Sequence, residues 1–141
     1  MKNLKSIVLC GILSLGLLFM NVTPTFAATG HDGMVATISV NGAINHSNVL
    51  ETLYPYKMAV NQKFSVDFMF IDDGHDHLIT YSAYGASGLP IYINHGWESG
   101  HKLVEFPEVS FSTPGRHVIS AVMACQQTGQ VKSVTYYVDV V

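Results

Sequence analysis

The 141-residue chain has little cysteine: only Cys10 and Cys125 are present. Cys10 lies in an N-terminal segment that reads as removable. There Lys2 and Lys5 precede an apolar run from Ile7 to Met20, and small and turn residues follow as far as Ala27, which is the order of a secretory signal peptide. The run is shorter than the roughly 20 residues that span a bilayer, and Thr25 and Ala27 supply the small side chains that cleavage requires. Leu9 before Cys10 argues against a lipid anchor at that cysteine. Residues 1–27 are therefore expected to be a signal peptide of bacterial style, and residues 28–141 a single secreted domain. Such a domain keeps only Cys125. An intramolecular disulfide is then excluded, and packing, alone or with a metal, must hold it together.

Charge is also scarce, at 12% of residues. Without Lys2 and Lys5 the domain carries five basic against ten acidic side chains, a formal charge of −5 with histidines neutral. That balance disfavours nucleic acid and anionic membrane as partners. No apolar segment after Ala27 is long enough for membrane insertion. An extracellular protein or surface polymer is the expected partner, and a monomer the expected state. Gly-x-Ser-x-Gly, His-Glu-x-x-His, a phosphate loop and a separated acid pair are all missing. An enzyme is not expected.

What the chain has in abundance is period-two alternation. "MVATISV" sets Met34, Ala36, Ile38 and Val40 on one side, and "KFSVDFMFI" does the same with Phe64, Val66, Phe68 and Phe70. "LITYSAY" from Leu78, "PIYI" from Pro90, "KLVEFPEVSF" from Lys102, "HVISAVMAC" from His117 and "VKSVTYYVDV" from Val131 continue it. Glycines and prolines punctuate these runs at spacings suited to antiparallel strands. Only "HSNVLETLYPYKMAV" is ambiguous, holding a strand, a short helix before Pro55, or both. About seven short strands in one domain imply an all-β, two-sheet antiparallel sandwich.

Residues 111–140 carry a resemblance. "FSTPGRHVISAVMACQQTG" followed by "VKSVTYYVDV" resembles the end of a polycystic-kidney-disease-type or related bacterial immunoglobulin-like domain, through Phe111, Pro114, Gly115, His117, Ile119, Ala121, Met123 and Gly129. The Trp-Asp-Phe-Gly-Asp-Gly signature of the former is absent, and His117 stands where an aromatic is usual. What carries over is the immunoglobulin-like sandwich, and with it the expectation of an extracellular module for adhesion, carbohydrate attachment or spacing.

If successive strands alternate in direction, "DDGHDH" (72–77), "NHGWESGH" (94–101) and "CQQTGQ" (125–130) meet at one end. Sandwich folds place binding sites on such loops. His-x-His in an extended strand points both rings to one side, so His75 and His77, with His95 or His101 and with Asp73 or Asp76, form a candidate zinc or copper set. Calcium at Asp72, Asp73 and Asp76 is the oxygen-only variant. His31 and Asp32 have the reach to join. The plainer reading is a solvated turn, in which Asp72 or Asp73 bonds its own backbone and Gly74 takes a positive φ. His46 and His117 read as structural or surface residues.

Cys125 alternates with Ile119, Ala121 and Met123, which makes it a small buried hydrophobe rather than a nucleophile. Trp97, read as part of a loop, either stacks on a partner together with Tyr81, Tyr84 and Tyr92 as an aromatic strip, or folds back over the sandwich end. Three functions follow: a non-enzymatic secreted binding module using loops at one end, a copper- or zinc-binding protein using His75, His77 and His95 or His101, and a small secreted toxin or enzyme inhibitor.

Overall fold

The computed structural model of the chain describes residues 33–47, 55–72 and 74–141. The signal-peptide expectation for 1–27, His31 and Asp32, residues 48–54 of the ambiguous segment and the ligand candidate Asp73 lie outside the described residues. Nine strands are described: β1 (Val35–Val40), β2 (Ala43–His46), β3 (Tyr56–Met58), β4 (Phe64–Ile71), β5 (Asp76–Tyr84), β6 (Pro90–Ser99), β7 (Lys102–Val109), β8 (Gly115–Cys125) and β9 (Val131–Val140).

They form a four-stranded sheet in the order β2-β1-β4-β7 and a five-stranded sheet in the order β3-β9-β8-β5-β6. Every pairing is antiparallel except β3 with β9. The chain changes sheet between β2 and β3, between β3 and β4, between β4 and β5, between β6 and β7, and between β7 and β8. In consequence β7 returns beside β4, and β8 beside β5, the immunoglobulin-like arrangement of crossing connections. The three-residue β3 and the short β2 account for the excess over seven strands. β3 lies within the ambiguous segment, which thus holds a strand after Pro55, and β2 ends at its first residue, His46.

The alternation builds this core directly. Ala36, Ile38 and Val40 of β1 and Phe64, Val66, Phe68 and Phe70 of β4 are buried on one sheet. Ile79 and Tyr81 of β5, Ile119, Ala121 and Met123 of β8, and Val134, Tyr136, Val138 and Val140 of β9 face them from the other. Their polar neighbours in sequence point away because successive side chains of a strand take opposite faces. Between β1 and β2, Asn41 and Gly42 take φ of 47° and 81°. Two consecutive positive φ values are what a two-residue hairpin turn requires, and Asn-Gly supplies them at least cost. Asn41 then serves as a clasp, accepting from the Ser65 amide at 2.9 Å and donating to the Tyr56 hydroxyl at 2.9 Å.

Tyr81 lies at the centre of an aromatic group spanning both sheets, with ring centroids 5.2 Å from Phe68, 6.3 Å from Phe106 and 6.0 Å from Tyr92. Burial, and then the neighbouring Tyr92, pushes the Tyr81 phenol above its ordinary ionisation range. Burial does the same to Tyr136.

Two outcomes test this core. Ile38→Ala, at a fully buried position, is expected to cost about 2–5 kcal/mol in denaturant unfolding; a loss under ~1 kcal/mol would show the sheets to be loosely packed there. In alkaline titration followed by phenolate absorbance, two tyrosines should ionise late. Their protonated forms favour the fold, so the associated stability is fully present below about pH 10 and is lost as pH rises through the raised folded-state values.

Candidate functional site

The strand directions bring the β4–β5 connection, the Gly100–His101 turn and the β8–β9 connection to one end of the sandwich. Hydrogen bonds join them. The Asp72 amide donates to His101 Nδ1 at 3.1 Å, and the Gln126 amide donates to the Asp76 carbonyl at 3.0 Å. Cys125 Sγ lies 3.5 Å from His75 Nδ1. The turn chemistry is local: the Asp72 carboxylate accepts from the Gly74 amide at 3.1 Å, and Gly74 takes a φ of 92°. Asp76 accepts from Ser99 Oγ at 2.7 Å, and Lys102 pairs with Glu98 at 3.1 Å. Much of the acidic character of this end is therefore engaged in holding its own loops.

One expectation needs correction. Residues 94–99 are not a loop; they complete β6, paired with β5 from Asp76↔Ser99 to Tyr81↔Asn94. A regular strand fixes which way each side chain points. His77 sits in register with both Cys125 and Glu98, is 1% exposed, and faces the interior. His95 sits opposite Thr80, one position from the inward Asn94 and Gly96, and takes the outer face. The sheet thus separates His95 from His75 and His77. His101 lies in the turn. Among the described residues, no three His, Cys, Asp or Glu side chains come close enough to share an ion.

The same register divides the proposed aromatic strip. Tyr81 and Tyr92 are part of the inter-sheet group, with Tyr92 5.5 Å from Phe106 and Asn94 Nδ2 donating to the Tyr81 hydroxyl at 2.7 Å. Tyr84 and Trp97 lie on the outer face, the latter beside Leu78. Trp97 does not fold back: it is 60% exposed. With Ile93, 51% exposed on the same side of the same edge strand, it forms an uncharged apolar ridge flanking His95.

Cys125 is buried, as its alternation implies. His117 is structural: its ring stacks on Phe111 at 4.0 Å, with Nδ1 3.2 Å from the Gly115 carbonyl and Nε2 3.2 Å from Thr113 Oγ1.

The opposite end holds a feature that the loop reasoning passed over. Between β6 and β7, the free edges of the two sheets, an apolar cleft of about 300 Å³ runs inward past Tyr92 and Phe106 to Val66 and Ile119. A more polar hollow of about 370 Å³ adjoins it at the β5–β6 turn. The sequence signal was "LPIYI", where Leu89, Ile91, Tyr92 and Ile93 are apolar on both faces of a strand that alternation alone would bury on one.

No protein-family model and no curated protein sequence matches the chain. Among solved structures, it is similar to the CARDB domain of the PF1109 protein from Pyrococcus furiosus, a structure in complex with di-metal ions. The identity is 11% and the TM-score 0.42, over 84% of this chain and 98% of that one. It is also similar to the C-terminal domain of wzt, at 11% identity and a TM-score of 0.43, over 87% of this chain and 84% of that one.

Proposed function

We propose that the chain is a secreted, non-enzymatic binding module that engages an extracellular surface polymer through the outer side of β6. The observation that carries this reading is the exposure of Trp97 on a regular edge strand. A tryptophan left in water forgoes a large apolar contribution to folding, and its placement on a rigid strand, beside Leu78 and in line with Ile93, presents a flat ring at little ordering cost. Such a platform suits the apolar face of a sugar ring. His95, Ser99 and Thr80 supply hydrogen-bonding groups around it on the same face of the sheet. The acidic balance of the domain supports an uncharged or basic polymer over nucleic acid or an anionic membrane.

Pull-down on purified cell-wall and glycan matrices tests this. Trp97→Ala is expected to weaken retention by about tenfold or more, as loss of a central aromatic anchor does, with an unchanged melting temperature. Equal retention of wild type and variant would remove Trp97 from the site.

The copper- or zinc-binding alternative rests on the approach of His75 to Cys125 on the inner side of the loop end, since imidazole and thiolate are ligands for both ions. Its test is thermal melting with zinc, with copper and with a chelator. Coincident transitions would sink it. A stabilisation abolished in His77→Ala but retained in His46→Ala would support it, because a ligand specific to the native state raises stability by mass action.

A further inference from the structure

The cleft between β6 and β7 is a second site, at the end of the sandwich away from Trp97. We propose that it binds a single-chain amphiphile: an acyl chain lying between the sheets, with an uncharged polar head in the adjoining hollow.

The shape of the cleft selects the tail. Its volume of about 300 Å³ is at the small end of the range for ligand pockets. Packed sheets stand only about 10 Å apart, which admits a chain of methylenes but no folded surface. Its walls come from opposed strands: Phe64 and Val66 of β4 on one side, Ala83 and Ile119 of β5 and β8 on the other, with Tyr92 and Phe106 at its edge. Each methylene transferred there from water is favourable by about 0.8 kcal/mol.

The adjoining hollow selects the head. Ile91, Ser110 and Phe111 line both spaces, so the two are continuous. The hydroxyl-bearing residues Ser87, Ser110, Ser112 and Thr113 line the outer part, and no Lys, Arg, Asp or Glu lines either. Nearby cations are committed elsewhere: Arg116 makes two hydrogen bonds to Asp139, at 2.8 and 3.0 Å, and Lys63 pairs with Glu108. His117 also lines the hollow, but its ring nitrogens lie against the Gly115 carbonyl and Thr113 Oγ1; a carboxylate or phosphate would find no uncommitted counter-charge there, whereas a hydroxyl or ester head would find partners.

The mouth is preformed. In the β5–β6 turn the Gly85 amide donates to the Leu89 carbonyl at 2.8 Å and the Gly88 amide to the Gly85 carbonyl at 2.9 Å. Ala86 of that turn packs so closely on Gly115 that a Cβ at position 115 would lie 2.7 Å from it. A turn held in this way keeps the hollow open without a ligand, and so reduces the ordering cost of binding.

Titration calorimetry with monolaurin, laurate and glycerol tests the proposal on the whole mature domain. Monolaurin is expected to bind, laurate at least tenfold more weakly, and glycerol not at all. Ala83→Leu fills the cleft beside Ile119 and should weaken monolaurin binding tenfold or more; Val109→Phe, at the wall from β7, provides a second block should the first variant fail to fold. Trp97→Ala should bind monolaurin like the wild type, which separates this site from the polymer surface. Absence of monolaurin binding would overturn the proposal, as would equal or tighter binding of laurate or unchanged affinity in a folded cleft-filled variant. Concentration-dependent dimerisation that Ala83→Leu abolishes would also overturn it, by assigning the cleft to a second copy of the chain.

Discussion

With Cys125 the one cysteine after Ala27, no disulfide within residues 28–141 joins the two sheets, and the central contact between them is the aromatic group around Tyr81. Phe68 and Phe106 reach it from one sheet and Tyr92 from its own. The group joins the sheets at the side where β6 and β7 leave both edges free. Elsewhere the small and branched residues Ala36, Ile38, Ala121 and Val138 let the sheets approach, and Asn45 ties β2 to the Thr135 carbonyl across the sandwich at 2.8 Å. Aliphatic closure on one side and bulky rings on the other leave the interior unevenly filled. The cleft lies beside the rings.

That asymmetry also shapes the outer surface. As the terminal strand of its sheet, β6 has no neighbour to cover Ile93 or Trp97, and no Lys, Asp or Glu interrupts it before Glu98. Natural edge strands are usually shielded by charge, irregularity or shortness. β6 has ten residues and is exposed along most of its length, a cost to solubility that a recognition role would explain. The loop end, by contrast, uses Asp72, Asp76, Ser99 and His101 largely to fasten its own turns.

Much of the fold was legible in residue order. Alternation identified the inward rows of β1, β4 and β8 and the strand character of the stretches that became β5 and β9, and strand reversal brought the three connections to one end. The self-bonding of Asp72 and the positive φ of Gly74 followed from turn chemistry. The candidate site was less legible, because glycine-rich "NHGWESGH" looks like a loop by composition. Pairing with β5 overrides that local preference: each backbone group satisfied across the ladder offsets the entropy lost by Gly96, and the strand continues to Ser99. Once it does, the pleat sends His95 and Trp97 outward and Asn94 and Glu98 inward, and no reading of spacing along one segment reveals that division.

By itself, then, the order of residues determined which face of each strand is apolar, where the chain turns, and that a disulfide cannot close the domain, because these depend on neighbours two to four positions apart. Tertiary structure decided which strand lies at an edge, which side chains therefore meet water, and where two sheets fail to close. Those outcomes depend on pairings between residues far apart in the chain, such as Leu78 with Trp97 or Val66 with Phe106, and on the combined volumes of side chains that sequence proximity never brings together.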